Sequence, residues 1–385
     1  MRNILVIKLR YIGDVLLATP VLRALRDRFP DTRLTMLVNR GTEDILKWNP
    51  DVNEVLTVDR GTPAAQLRLL GDLRRRRFDC VLDLTDGDRS AILAKLSGAP
   101  VRIGFNEERR WRGLLYTSVV QANALTHRVE RDLEAVRALG IEPKAGPLVL
   151  RTSPQDDEEA AKLLEVVGST TRGITSVTSA DRGPVAPQDA TGDESVSRPG
   201  LGASVGTTRP LVLLHPGARY WFKAWPAERF AELADRLTDT CDCRVLVGGD
   251  ANDKPVAEAI QARARSAPTV LAGRTTLLQL AAVLKRCALF IGNDNGPMHM
   301  AAALGTPVVA LFGPSNPLVW GPRGGRAEVI YKGLDCRRCF HPTCHRGEES
   351  CMKQITVDEV FAAVTQCLVT TDREVFRQGY GGFAR

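Results

Sequence analysis

The sequence predicts an α/β protein made of two doubly wound domains that face a central cleft. Short apolar strands alternate with amphipathic segments over residues 1–167, and the same alternation returns over 210–368. Between them the composition changes. Residues 168–209 are rich in Gly, Ser, Thr, Pro and Asp and contain no aromatic residue. Their scattered Ile and Val follow no period, so this stretch cannot bury enough surface to offset its ordering entropy and reads as a flexible linker or insertion. A short tail, 369–385, closes the chain. Near-continuous apolar strands separated by helices indicate parallel sheets covered on both faces. Ligands of such sheets bind outside the carboxyl ends of the strands.

In the first domain Ile4–Ile7 reads as a strand and Val15–Leu25 as a helix, with apolar residues at 15, 16, 22 and 25. Strands follow at Leu34–Val38, Glu54–Val58, Phe78–Leu84 and Val101–Gly104, and helices at His127–Leu139 and Pro154–Val167. In the second domain the strands are Leu211–Leu214, Arg244–Val247, Val270–Leu271, Ala288–Ile291 and Val308–Leu311. The helices are Ala227–Leu237, Lys254–Arg265, Thr276–Lys285 and Met298–Leu304. Phe230, Leu233, Ala234 and Leu237 keep the i, i+3, i+4, i+7 spacing of a buried helix face.

At 385 residues, with 44% hydrophobic and 25% charged residues, the chain has the composition of a soluble globular protein with room for two cores. No apolar run approaches the ~20 residues of a membrane span. Lys8, Arg10 and Asp14 interrupt the N-terminal apolar run too early for a signal-peptide core, so a cytoplasmic location is expected. The net charge of +7 suits an anionic partner. Basic residues cluster at Arg74–Arg77 and at Arg109, Arg110 and Arg112. Aromatics make up only 5% and do not interleave with these clusters, which argues against nucleic acid.

The most informative segment is I-G-N-D-N-G-P-M-H, 291–299, at the end of a strand. Gly292 and Gly296 loosen the turn, and the following helix N-terminus presents unpaired N–H groups to a crevice, a ready anion site. His299 adds a donor, and Asp294 and Asn295 can orient the loop or hold a ribose hydroxyl. An ordinary Asn/Asp/Gly turn before a helix would look the same. A second segment, K-L-R-Y-I-G-D, 8–14, follows the first strand. Gly13 permits a tight turn, and Asp14 is either a general base or a helix N-cap.

The third segment is H-P-G-A-R-Y-W-F-K-A-W-P, 215–226. Lys223, flanked by aromatics, can neutralise a diphosphate without a metal ion, so no cofactor is expected for the chemistry. Asp250 in G-G-D, 248–250, is a candidate ribose ligand or a plain turn. Last, Cys336, Cys339, Cys344 and Cys351 lie within sixteen residues, with His341 and His345 among them. Four thiols so close suit a structural Zn or Fe ion or, equally, a reduced surface loop. There is no Walker A motif and no HExxH. The first turn has one Gly where a dinucleotide fingerprint needs three.

With these residues in hand, the chain resembles the bacterial lipopolysaccharide heptosyltransferases, glycosyltransferase family nine. K-L-R-Y-I-G-D-V-L-L-A-T-P and G-N-D-N-G-P-M-H-M-A-A-A-L-G-T-P-V-V-A-L-F-G-P carry the resemblance. H-P-G-A-R-Y-W-F-K-A-W and C-R-R-C-F-H-P-T-C point to the heptosyltransferase III-like branch. The resemblance implies a GT-B fold, with an acceptor-binding first domain and a nucleotide-sugar-binding second domain. It implies inverting transfer from ADP-heptose to the inner core of lipopolysaccharide by an enzyme peripheral to the inner face of the inner membrane. Asp14 then matches the catalytic base and Lys223 the donor-phosphate lysine. Asp294, Asn295, Gly296 and His299 match the loop gripping diphosphate and sugar; relatives often carry Thr where this chain has Asn295. A transferase of the same fold with another donor or acceptor, a sugar-nucleotide epimerase, and a non-catalytic scaffold remain as alternatives.

Overall fold

The computed structural model describes residues 1–58, 61–144, 146–172, 209–334, 336, 339 and 344–379. The first domain runs β1 (Asn3–Lys8), α1 (Ile12–Leu17), α2 (Thr19–Arg28), β2 (Arg33–Asn39), β3 (Glu54–Val58), α3 (Pro63–Arg75), β4 (Cys80–Asp83), α4 (Asp88–Leu96), β5 (Val101–Phe105), β6 (Ser118–Val120) and α5 (Arg128–Arg137). Its strands form a six-stranded sheet of order β3-β2-β1-β4-β5-β6, parallel throughout. After α6 (Pro154–Arg172) the second domain runs β7 (Leu211–His215), α7 (Ala227–Cys241), β8 (Arg244–Val247), α8 (Lys254–Arg263), β9 (Thr269–Val270), α9 (Leu277–Leu284), β10 (Leu289–Asn293), α10 (Gly296–Ala303), β11 (Val308–Phe312), α11 (Pro317–Trp320), β12 (Ala327–Tyr331), α12 (Cys351–Gln354) and α13 (Val357–Gly379). Its parallel sheet has the order β12-β11-β10-β7-β8-β9.

Both strand orders reverse at the first strand of the domain, β1 and β7. The crevices at their carboxyl ends are therefore the places where a ligand reaches loops from both directions. Ile4 to Lys8, Leu34 to Val38 and Val308 to Phe312 are buried along their whole length, as strands covered on both faces must be.

The predicted strands recur with shifted ends; Phe78–Leu84 contracts to β4. Val15–Leu25 is not one helix. It breaks at Ala18, because Pro20 in the first turn of α2 has no N–H to continue the ladder. The Thr19 hydroxyl donates to the Leu16 carbonyl at 2.8 Å in its place. Strands β6 and β12 escape the apolar reading because they are half-exposed edges. Helix α6, which follows the first domain in sequence, packs against α9 of the second. Gln279 Nε2 donates to Glu159 at 2.6 Å, and Lys285 pairs with Asp157 at 2.8 Å.

The linker expected at 168–209 lies outside the described residues, apart from 168–172 in α6 and Arg209. Of the tail expected at 369–385, the part to Gly379 continues α13, and 380–385 lie outside the described residues. Of the three apolar clusters among the described residues, one spans both domains, with Val15 and Leu16 of α1 beside Met298 and Ala302 of α10. Among the described residues no helix is long and apolar enough to cross a membrane.

Candidate active site

The carboxyl ends of β1 and β7 open onto one cavity of about 890 Å³, lined by Gly13, Asp14, Lys223, Asp250, Asp294, Asn295, Gly296 and His299 among others. Sequence reading thus found residues far apart in the chain that share one cleft. Gly292 and the cysteine segment do not line it.

On the first-domain side, Lys8 ends β1 buried, with its ammonium 2.5 Å from Asp132. Arg10 donates Nε and Nη2 to the Thr85 carbonyl at 3.2 and 3.0 Å. Helix α1 then starts with Tyr11 as N-cap, without a side-chain cap. Asp14 is therefore not the capping residue. It sits in the first turn, where the helix dipole favours a carboxylate. Among the described residues no hydrogen bond or ion pair occupies it, although its charge reaches Arg128. A Cβ on Gly13 would lie 2.9 Å from His299 Cδ2, and one on Gly296 would lie 3.2 Å from Ile12 Cγ2. The starts of α1 and α10 are thus pressed together by two glycines.

On the second-domain side, Asn293 binds the 216–225 loop to β10. Its Oδ1 accepts from Trp225 N at 3.1 Å, and its Nδ2 donates to the Pro216 carbonyl at 2.8 Å. Trp225 is buried, and its Nε1 donates to the Ile355 carbonyl at 2.9 Å. Tyr220 stacks on Phe222 with centroids 5.1 Å apart. This anchoring places Lys223 Nζ 2.7 Å from Asp294 Oδ2. Asn295 caps α10 by accepting from Met298 N at 3.1 Å, and its amide donates to the Gly217 carbonyl at 2.8 Å. Its side chain thus braces two loops.

His299 is buried, and burial pushes its imidazole down to about 4, so it is neutral near pH 7. Its Nδ1 has no partner among the described residues. Gly292 does not belong to the turn. It is a residue of β10, and a Cβ there would meet the His215 carbonyl at 2.9 Å and the Phe290 ring. Close strand packing, not phosphate contact, explains this glycine. Asp250 shapes a tight turn by accepting from Asn252 N at 2.7 Å and from Asp253 N at 3.1 Å.

Several cleft residues escaped sequence reading. Asp253 packs so closely on Gly217 that a Cβ there would stand 2.4 Å from its carboxylate. Arg219 spans the cleft, its guanidinium 3.4 Å from the centroid of Tyr11. Arg128 and Arg131 open α5; Arg128 lies over Trp320 at 4.7 Å, and Arg131 pairs with Glu107, Asp132 and Asp86. The signal for these two was present, since a helix dipole disfavours cations in the first turn.

The cysteine segment stands apart from the cleft. Burial raises the Cys339 and Cys351 thiols, and neighbouring Cys336 and Cys344 add to the rise, so the four lie within electrostatic reach of one another. Cys336 Sγ accepts from Arg346 Nε at 2.9 Å. Among the described residues no three His, Cys, Asp or Glu side chains form a group able to hold a metal ion. His341 lies outside the described residues.

Residues 66–349 match the family model of glycosyltransferase family 9 (heptosyltransferase). The chain belongs to this family. It is a glycosyltransferase. It is 30% identical over 337 residues to lipopolysaccharide heptosyltransferase 2 of Escherichia coli K12, covering 85% of this chain and 87% of the relative. Lipopolysaccharide heptosyltransferase 3 of the same strain is 29% identical over 324 residues, covering 82% and 83%. The solved structure of E. coli ADP-heptose lipopolysaccharide heptosyltransferase II is similar with a TM-score of 0.69 at 25% identity, covering 97% of this chain and 100% of that one. A family 9 glycosyltransferase from Veillonella parvula has a TM-score of 0.75 at 23% identity, with coverage of 96% and 97%. The two facing sheets are accordingly a GT-B fold.

Proposed function

We propose that this glycosyltransferase moves heptose from ADP-heptose to the inner core of lipopolysaccharide with inversion, using Asp14 as general base. The uncommitted Asp14 carboxylate, in a cleft whose opposite wall holds Lys223 and the start of α10, carries this reading. The names of the similar E. coli enzymes support the donor and the acceptor class. The donor diphosphate lies at Lys223 and the N–H groups of α10, where a helix start favours an anion. Asp14 takes the proton from an acceptor hydroxyl, whose oxygen attacks the anomeric carbon from the face opposite ADP. The anomeric C–O bond to the diphosphate breaks, and ADP leaves with the bonding pair. Fixed donors around that leaving group lower the barrier because they need no reorganisation as charge develops. Neutral His299, which lines the same cleft, hydrogen-bonds a donor hydroxyl or phosphate oxygen without adding charge.

The test is ADP release from ADP-heptose, with and without a heptose-deficient lipopolysaccharide acceptor, for wild type and Asp14→Asn. Acceptor-dependent release that collapses in the variant is the expected result. Release that ignores the acceptor, or that persists in the variant, overturns the acceptor class or the base.

The cysteine segment enters the same proposal as a Zn or Fe site outside the reaction, because clustered thiols select those metals. Among the described residues the four are not gathered into a binding group, so the segment has to rearrange to close on an ion. Elemental analysis of the purified full chain should find bound metal that is lost in Cys336→Ser/Cys339→Ser. A metal-free wild type ends this part.

A further inference from the structure

The 3₁₀ helix Trp111–Leu115 of the first domain, tied through Arg112 to the cleft-lining Asp86, exposes two large apolar side chains. Trp111 is 52% and Leu114 87% accessible, while Arg112 between them is buried at 2%. A 3₁₀ helix has three residues per turn, so positions i and i+3 share a face. Trp111 and Leu114 therefore project together to solvent. Arg112 and Leu115 point inward, and Leu115 packs on the core that contains Tyr116.

The inward face is firmly held. Arg112 pairs with Asp86 at 2.9 Å, Asp88 at 3.1 Å and Glu108 at 3.3 Å. The turn before it is braced by Asn106, whose amide donates to the Arg110 carbonyl at 2.9 Å while its Oδ1 accepts from Arg110 N at 2.9 Å. Gly113 is required there, because a Cβ would stand 2.4 Å from the Asn106 amide. This scaffold displays an apolar face that it makes no attempt to bury.

Charge selects the occupant. Glu107 pairs with Arg131, and Glu108 with Arg110 and Arg112. Arg109, exposed and in the left-handed region with φ at +51°, has no ion-pair partner among the described residues. The other basic run is largely occupied: Arg76 pairs with Glu54, Arg75 with Asp72, and Arg74 donates to the Leu96 carbonyl. A Trp and a Leu side by side, bordered by a free guanidinium, match an interface that is anionic at its surface and apolar beneath. Asp86, which holds Arg112 of this element, also lines the cleft.

We infer that the Trp111–Leu115 turn docks the protein on an anionic phospholipid surface, with Trp111 and Leu114 entering the acyl boundary and Arg109 facing the head groups. Its purpose rests on the glycolipid acceptor proposed above, but its test does not need that acceptor. Flotation of the full chain with vesicles of phosphatidylethanolamine and phosphatidylglycerol should exceed flotation with phosphatidylcholine alone. Trp111→Ser/Leu114→Ser should weaken that binding by about tenfold or more, since two apolar anchors are lost. Arg109→Glu should weaken it in low salt and much less in high salt. Circular dichroism and thermal melting should stay at wild-type values, because the replaced side chains are exposed. Turnover on a deacylated, water-soluble acceptor should be unchanged in the double variant. Equal binding by wild type and double variant, or no preference for anionic vesicles, overturns the inference. If transfer to the soluble acceptor persists while vesicles are ignored, the docking surface falls and the transfer reaction stands. If vesicles bind but no heptose is transferred, the reverse holds.

Discussion

Gly13 of α1 and His299 of α10 meet across the seam between the domains, so closely that a Cβ on Gly13 would lie 2.9 Å from the imidazole Cδ2. His299 is buried at this seam, so its ring must shift to admit a methyl group on Gly13. Gly13→Ala should therefore push the imidazole and the start of α10 away from Asp14. Overpacking of this kind costs typically 1–3 kcal/mol of stability. Turnover should fall by about tenfold or more, since a misplacement near 1 Å at a reacting centre can cost about 10²-fold. Chemical denaturation and steady-state ADP release measure the two effects. A fully active, fully stable alanine variant would show that the seam is compliant.

Lys223 is poised by what surrounds it. The Trp225 anchor and the Asn293 bonds fix its loop, and Asp294 holds its ammonium at 2.7 Å. Lys223→Ala should raise the barrier by ~2.7–4 kcal/mol, the usual cost of losing one preorganised donor at a developing charge. The loss should appear in kcat more than in the binding of ADP, because charge on the leaving diphosphate grows in the transition state. Unchanged kcat would remove Lys223 from the leaving-group site.

The sheets were legible because a strand covered on both faces must be largely apolar, as β1, β2 and β11 are. The edges β6 and β12 were not, since half-exposed strands carry no such run. At the site, strand-end motifs revealed Asp14, Lys223 and the 294–299 loop, because Gly and Asp directly after an apolar strand leave few structures open. Asp253 and Arg219 could not be read that way. Their relevance comes from Gly217 and Tyr11, contacts that only the packing of distant loops creates. Gly292 shows the opposite failure. A glycine beside a loop motif reads as a turn, whereas here it makes room for the β7 backbone.

Acid should destabilise the protein through His299. Burial lowers its folded pKa from the ordinary 6.5 to about 4, so the folded state binds fewer protons than the unfolded state between those values. Stability is then complete above about pH 6.5 and is lost as the pH falls toward 4. At 1.36 kcal/mol per unit the full effect is on the order of 3 kcal/mol. His127 and His215, also held low by burial, act with the same sign. Denaturant unfolding at pH 7 and pH 5 should show a clear loss for wild type and a smaller one for His299→Gln. Equal losses would mean that the imidazole is solvated in the folded protein.

Lys8 and Asp132 form an ion pair in which both side chains are almost wholly buried, 2.5 Å apart. Taking two charges out of water is costly, and their attraction offsets this only while both are present. Asp132→Leu should therefore cost about 3–5 kcal/mol, because it leaves the Lys8 ammonium desolvated beside the Leu84 carbonyl alone. Adding Lys8→Met should recover most of that loss, since a buried pair replaced by apolar groups of similar volume is often neutral. Arg131, the other neighbour of Asp132, keeps Glu107 and Asp86 as partners in the double variant. A double-mutant cycle read by denaturant unfolding decides the matter. Additive losses from the two substitutions would mean that the charges do not depend on each other, and that solvent reaches the pair.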